Sequence, residues 1–278
     1  MITKSSYLPF KMKVTKIRGL APTVKALTLE FTDKKDAKVF KFVAGQFVIV
    51  SVLGFGESVL TITSAPYDLP KFEVAVRSVG NNTRAIHRLE NGDVVTVRGP
   101  YGNGFDFEKM SGKEVLVIAG GIGLAPLHSL VHTIEKDPLL IGNLKVMVGA
   151  KTAEDLIFKD SLKKWQSLED FIEVYLTIDK KDKDWRGSTG LVSNLIDKAN
   201  VEKDAIAFIC GPPVMFKPVI EKLEKYGLRD SNIYLMLERR MKCGIGKCQH
   251  CTCGDKYVCK DGPTFSWEEI NKNPEVFA

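Results

Sequence analysis

The chain has 278 residues, 44% hydrophobic and 27% charged, the balance of a soluble globular protein, and its length suits two or three domains. Its formal net charge of +6 is spread without an arginine-rich arm or a basic block interleaved with aromatics, which argues against a nucleic-acid binder. No uncharged apolar run approaches the roughly 18 residues a membrane helix needs. The opening MITKSSYLPFKMK also lacks the apolar stretch of a secretory signal, so a cytoplasmic protein without membrane contact is expected.

Residues 1–110 read as β structure. Leu27, Leu29 and Phe31 alternate with Ala26, Thr28 and Glu30, and Phe72, Val74 and Val76 with Glu73, Ala75 and Arg77, the period of a strand with one buried face. Further strands are expected at 12–18, 46–52, 59–64 and 93–98, with turn signals between them. Six short strands with one helical turn near 83–90 predict a small antiparallel barrel. Two segments in it suit a ligand: the hydroxyl-rich strand Gly56–Pro66, and the turn Val79-Gly80-Asn81-Asn82-Thr83 leading into a helix. Taken singly, edge hydroxyls and a helix cap explain them as well.

From 111 to 237 the rhythm changes. Apolar runs at Val115–Ala119, Val146–Gly149, Phe171–Ile178, Ala205–Cys210 and Ile233–Leu237 alternate with helical patterns near 125–136, 154–165, 190–199 and 213–226. Such runs predict a five-stranded parallel sheet covered on both faces, whose ligands sit at the carboxyl ends of the strands. There the chain reads Gly120-Gly121-Ile122-Gly123, suited to a diphosphate approaching a helix N-terminus, and Cys210-Gly211-Pro212-Pro213, a rigid shelf for a flat ring. Lys151-Thr152 and Asp179-Lys180-Lys181 follow the second and third strands, where lysines suit a 2′-phosphate and an aspartate a ribose diol; a solvated loop also explains this charged run.

In 238–278, five of the six cysteines fall between 243 and 259. Cys243, Cys248 and Cys251 stand at C-x4-C-x2-C, the opening spacing of a plant-type [2Fe–2S] site, with Cys259 as fourth ligand. Gly244 and Gly246 let the backbone curl and aim amides at sulfur. A structural zinc would use the same thiolates, but zinc sites favour paired C-x2-C knuckles; that alternative makes the chain a zinc-stapled binding module. Cys253 is expected to be a bystander. His250 lacks the second histidine of a Rieske centre, and His128 and His132 lack the glutamate of an H-E-x-x-H frame.

Barrel, GGIGLAP, CGPPVMF and cysteine loop, in that order, resemble the ferredoxin-NADP reductase superfamily. The run from Glu238 through Cys251 to Pro263 is most similar to its branch with a [2Fe–2S] extension. That branch includes sulfhydrogenase gamma subunits, the electron-transfer subunits of anaerobic sulfite reductase and of dihydroorotate dehydrogenase, and the small subunit of NADH-dependent ferredoxin:NADP oxidoreductase. The resemblance implies three parts: an FAD-binding barrel over 1–110, an NAD(P)-binding domain over 111–237 and an iron–sulfur segment over 238–278. It implies an oxidoreductase subunit that uses NAD(P)H, FAD and a [2Fe–2S] cluster alongside other redox subunits, a hydrogenase foremost. The family's Arg-x-Tyr-Ser flavin motif maps onto Ser58, Val59, Leu60 and Thr61. Thr61 keeps the hydroxyl near the flavin; Ser58 and Leu60 replace the arginine and the aromatic, with Arg77, beside Ala75 and Val76, as substitute phosphate ligand. Gly80, Asn82 and Thr83 map onto the pyrophosphate turn, Gly120, Gly121 and Gly123 onto the nucleotide turn, and Cys210 and Gly211 onto the nicotinamide shelf. Thr61, Cys210 and Glu238 are the residues expected nearest the chemistry.

Overall fold

A computed structural model describes residues 7–273 except 169 and 182. Its contacts group into two compact units: 1–105 with 128–133 and 238–263, and 106–127 with 134–237 and 264–278.

The first unit is built on six antiparallel strands: β1 (Phe10–Ala21), β2 (Val24–Phe31), β3 (Phe47–Val52), β4 (Gly56–Thr61), β5 (Lys71–Arg77) and β6 (Val94–Tyr101), in the order β4-β3-β6-β1-β2-β5. An Ile62–Val74 bridge joins the two ends of that order and closes the barrel. Period-2 alternation decides what lies inside: Met12, Val14, Leu27, Leu29, Val48, Val50, Leu60, Ile62, Phe72, Val74 and Val76 share one core. Helix α1 (Lys34–Val39) precedes Phe40, whose ring stacks on Phe72 at 5.4 Å. Helix α2 (Asn81–His87) buries Ala85 and Ile86.

β6 holds the irregularity that matters most. Phe47 pairs with Tyr101 and Ile49 with Arg98, so two steps along β3 match three along β6. The extra residue is a β-bulge at Gly99-Pro100, and Gly99 has φ +128, a conformation that suits glycine. Plain alternation would put Arg98 and Tyr101 on opposite faces; the bulge returns them to the same one.

The second unit begins with α3 (Phe107–Met110) and is built on β7 (Glu114–Gly120), β8 (Asn143–Ala150), β9 (Ile172–Ile178), β10 (Ser188–Thr189), β11 (Ile206–Cys210) and β12 (Ile233–Met236). Helices α4 (Leu124–Lys136), α5 (Lys159–Gln166) and α6 (Pro213–Lys225) lie between strands. Every residue of β7 is buried, as a strand covered on both faces must be. The five expected parallel strands run β9-β8-β7-β11-β12 and gain short edges, β10 beside β9 and β15 (Thr264–Ser266) antiparallel to β12. The expected helix at 190–199 is a 3-10 segment, Val192–Lys198, and the one at 154–165 starts only at Lys159. The remaining elements are the hairpin β13 (Thr252–Cys253) and β14 (Lys256–Tyr257), and α7 (Trp267–Ile270). The 238–278 stretch therefore divides: 238–263 groups with the barrel, while β15 extends the parallel sheet. Among the described residues no helix is long and apolar enough to cross a membrane.

Candidate functional site

The cysteine loop curls as its glycines permit. Gly244, Gly246 and Gly254 have positive φ, as does Gln249. The amides of Ile245, Lys247 and Cys248 point at the Cys243 sulfur at 3.4–3.5 Å, and the Gly246 amide at that of Cys259 at 3.1 Å. Cys248 is a side-chain neighbour of Cys243, and Cys251 and Cys243 are both neighbours of Cys259. Burial pushes the Cys243 thiol up, yet the Ile245, Cys248 and Lys247 amides outweigh it and leave its pKa below the usual value. Backbone amides of His250 and Cys243 bring Cys248 down to about 7. Cys259 is pushed up to about 12, first by burial. Amides aimed at sulfur favour the thiolate, the form that binds metal, so the loop's donor set fits a [2Fe–2S] cluster.

Cys253 is buried in β13, and the Arg239 guanidinium donates to its sulfur at 3.9 Å. It pairs with Lys256 in the hairpin. His250 is exposed, its Nδ1 3.0 Å from the Cys248 carbonyl.

The loop is held at both ends by one hexapeptide of the barrel, Arg98–Asn103. At its start, Arg98 donates to the carbonyls of Lys242 and Cys243 at 3.0 and 3.2 Å. The Tyr101 ring packs so closely on Gly244 that a Cβ there would sit 2.8 Å from it. At its end, the Asn103 amide donates to the Gly262 carbonyl at 2.6 Å and its side chain to that of Asp261 at 3.0 Å. Gly102 is jammed against Pro263.

The flavin-strand candidates lie in this unit. Leu60 and Val76 belong to the barrel core: alternation turns their side chains inward, away from the outer face where the sequence places the flavin. Thr61 is on the outer face and pairs with Phe47, whose ring lies 6.0 Å from that of Tyr101. Thr61, Phe47, Tyr101 and Gly244 thus connect the candidate flavin strand to the cysteine loop. Val59 pairs with Ile49 on this outer face, and Ala75 and Arg77 face away from the core on β5, Arg77 exposed.

The Asn82 amide donates to the Ser58 hydroxyl at 2.6 Å, and Asn82 Oδ1 is a buried polar atom without a partner. The orphaned amide oxygen can accept from a ligand hydroxyl, and the Ser58 hydroxyl beside it can donate to a phosphate oxygen. The Thr83 hydroxyl accepts from the Val79 and Gly80 amides at 3.0 and 2.8 Å. Thr83 therefore caps its own helix as well as standing in the predicted phosphate turn.

In the second unit, the Gly121–Gly123 turn follows β7 and runs straight into α4. A Cβ on Gly123 would lie 2.2 Å from the Cys210 carbonyl oxygen, and Gly120 and Gly211 are pressed against Met215. The two predicted nucleotide motifs thus meet at adjacent strand ends, Cys210 pairing with Ala119. Lys151 and Lys180 are exposed and joined by a backbone hydrogen bond of 3.4 Å, so the two candidate selectivity segments are neighbours too. Glu238 is exposed at the start of the cysteine segment.

His128 Nδ1 lies 2.8 Å from the Thr63 carbonyl oxygen, and His132 lies 3.3 Å from Asp68. His128 is buried, and its ring stacks on that of His132 at 6.0 Å. Sequence reasoning missed Arg98, Glu57 and Tyr101. The only local cue was Gly99-Pro100, a pair that marks a bulge when it falls inside a strand.

Three family descriptions match in chain order: oxidoreductase FAD-binding domain over 11–105, oxidoreductase NAD-binding domain over 117–221, and iron–sulfur cluster binding domain of dihydroorotate dehydrogenase B over 238–271. The chain is 39% identical over 280 residues to sulfhydrogenase 1 subunit gamma of Pyrococcus furiosus, covering 99% of this chain and 96% of that one. It is 32% identical to a probable dihydroorotate dehydrogenase B (NAD(+)) electron transfer subunit of Methanocaldococcus jannaschii, covering 94% and 91%. Among solved structures, an NADH-dependent reduced ferredoxin-NADP oxidoreductase superposes with a TM-score of 0.75 at 26% identity, covering 95% and 94%.

Proposed function

From the premise that this chain belongs to the family of sulfhydrogenase gamma and dihydroorotate dehydrogenase B electron-transfer subunits, we propose that it carries electrons between NAD(P)H and a partner subunit, a hydrogenase first. It is an oxidoreductase subunit with FAD-binding, NAD-binding and iron–sulfur domains. The observation that carries the reading is the fastening of the cysteine loop to the barrel face that bears Thr61, through Arg98, Tyr101 and Phe47.

A bound flavin supplies the conversion between hydride and single-electron chemistry that nicotinamides and iron–sulfur clusters each lack. The chain's own groups position it. Thr61 presents a hydroxyl on the outer face, Ser58 and Asn82 offer polar contacts for the diphosphate side, and Arg77 offers an unburied cation. Cys210 and Gly211 provide a flat shelf for nicotinamide, and Gly120 to Gly123 a close approach for its phosphates. Cys243, Cys248, Cys251 and Cys259 would hold the irons of a [2Fe–2S] cluster. The role of Glu238 near the nicotinamide rests on the family resemblance.

Lys242, Lys247 and Lys260 are exposed around the loop and suit an acidic partner rim. The partner complex is cytoplasmic in this reading. Isolation of the native complex tests it: co-migrating hydrogenase subunits are the expected result, and a dihydroorotate dehydrogenase catalytic subunit would name the alternative. A lone monomer that completes a reduction unaided would refute the subunit role. A colourless protein holding one zinc would return the chain to a stapled binding module.

A further inference from the structure

Arg98 stands outside every motif that the family resemblance supplies, yet its guanidinium makes five hydrogen bonds. Its Nε and Nη2 donate to the two Glu57 carboxylate oxygens at 2.9 and 2.7 Å. Nη1 donates to the Tyr101 hydroxyl and to the Cys243 carbonyl, both at 3.2 Å, and Nη2 also donates to the Lys242 carbonyl at 3.0 Å. An arginine has five N–H donors in a rigid fork, and here each has an acceptor. The side chain is only 11% exposed.

These contacts tie three segments together: β4, which carries the flavin motif, the bulged end of β6, and the peptides flanking the first cluster cysteine. An exposed ion pair alone contributes little, and Glu57 is 40% exposed, so the pair with Glu57 does not account for the arrangement. The two carbonyl contacts do. They fix the peptide of Cys243 from outside the loop, while Tyr101 fixes Gly244 beside it. The three amides that reach the Cys243 sulfur come from the residues immediately following, so their aim depends on that peptide. Glu57 neutralises the guanidinium and orients it; what reaches the loop is a set of directed donors.

We propose that Arg98 is a positioning residue for the cluster: its fork locks the Cys243 peptide to the flavin-bearing strand and so sets the cluster's reduction potential and its hold on iron. The proposal rests on the reading that Cys243, Cys248, Cys251 and Cys259 carry a [2Fe–2S] cluster. Groups that orient a metal's ligands typically change its affinity by roughly ten- to a hundredfold when removed. Lysine cannot substitute, because its ammonium is a point charge without the fork.

The test uses the full chain with its cofactors, as wild type, Arg98→Gln and Arg98→Lys. Two quantities are read: the cluster midpoint potential in a titration followed by electron paramagnetic resonance, and the rate of iron release to a chelator. Both variants should show a lowered potential and iron loss roughly tenfold faster than wild type. Wild-type values in Arg98→Gln would overturn the proposal, and so would full rescue by Arg98→Lys, which would make charge alone sufficient. If the Arg98 variants do not accumulate, Glu57→Gln decides: it loosens the guanidinium's seat, so changes in the same direction support the lock and wild-type values refute it. A wild-type protein with no reduced-cluster signal would instead overturn the iron–sulfur reading beneath it.

Discussion

At position 123 one methyl group separates a folded nucleotide domain from a damaged one. A Cβ there would stand 2.2 Å from the Cys210 carbonyl oxygen and 2.8 Å from the Gly211 nitrogen, both backbone atoms that cannot swing aside. Gly123→Ala should therefore cost about 1–3 kcal/mol or more, seen as a lower Tm and poor NAD(P)H-driven flavin reduction. The glycine was legible in the sequence, but as room for a phosphate; that its first neighbour is the chain's own β11 depends on a contact almost ninety positions away. The iron–sulfur segment was more fully legible, because ligand spacing is a local property. Serine at Cys243, Cys248, Cys251 or Cys259 should abolish the cluster's visible absorption and lower iron content. Serine at Cys253, which lies against Arg239, should leave both. Retention of iron in Cys259→Ser together with its loss in Cys253→Ser would reverse the ligand assignment.

Among elements, the long periodic strands were the readable ones, since alternation is a property of neighbouring residues. The short edges were not: β10 and β15 exist because of what they lie beside. The bulge in β6 was half legible. Gly99-Pro100 ends a strand in a plain reading, whereas here the strand continues through it and turns Tyr101 back to the face of Arg98. Gly99→Ala, at φ +128 and 3.2 Å from the Phe47 carbonyl oxygen, should strain the bulge. The expected outcome is a lower Tm and faster iron loss together, measured by thermal melts and chelator challenge. In the parallel sheet, β7 and β8 share a buried ion pair, Lys145 to Glu114 at 2.5 Å, with 5% and 0% side-chain exposure. Glu114 also accepts from Asn143 and the Glu202 amide, and Lys145 donates to the Asn200 carbonyl. Lys145→Met would strand the carboxylate and should cost about 3–5 kcal/mol, read by denaturant unfolding. Neither residue was singled out from the sequence, since each stands one position before an apolar run that already explained its strand.

On the scale of the whole molecule, the order of barrel, nucleotide sheet and cysteine loop was legible, because each part has its own local signature. How the contacts divide was not: the sequence places 238–278 as a third segment, whereas 238–263 groups with the barrel. Charge acts at this scale as well. With Lys242, Lys247 and Lys260 exposed about the loop, electron delivery to an acidic partner should slow as ionic strength rises past the ~10 Å screening length of 0.1 M salt. Lys247→Glu should slow it further without changing the cluster's spectrum; rates insensitive to salt and to this charge reversal would remove the lysines from docking. The grip of Arg98–Asn103 on both ends of the loop has a consequence for building new proteins from this one. The iron-bearing loop is not a detachable cassette: spliced onto a related barrel without that hexapeptide, it would arrive with its receptor left behind. A chimera carrying 98–103 and 238–263 together should assemble its cluster, and one carrying 238–263 alone should not.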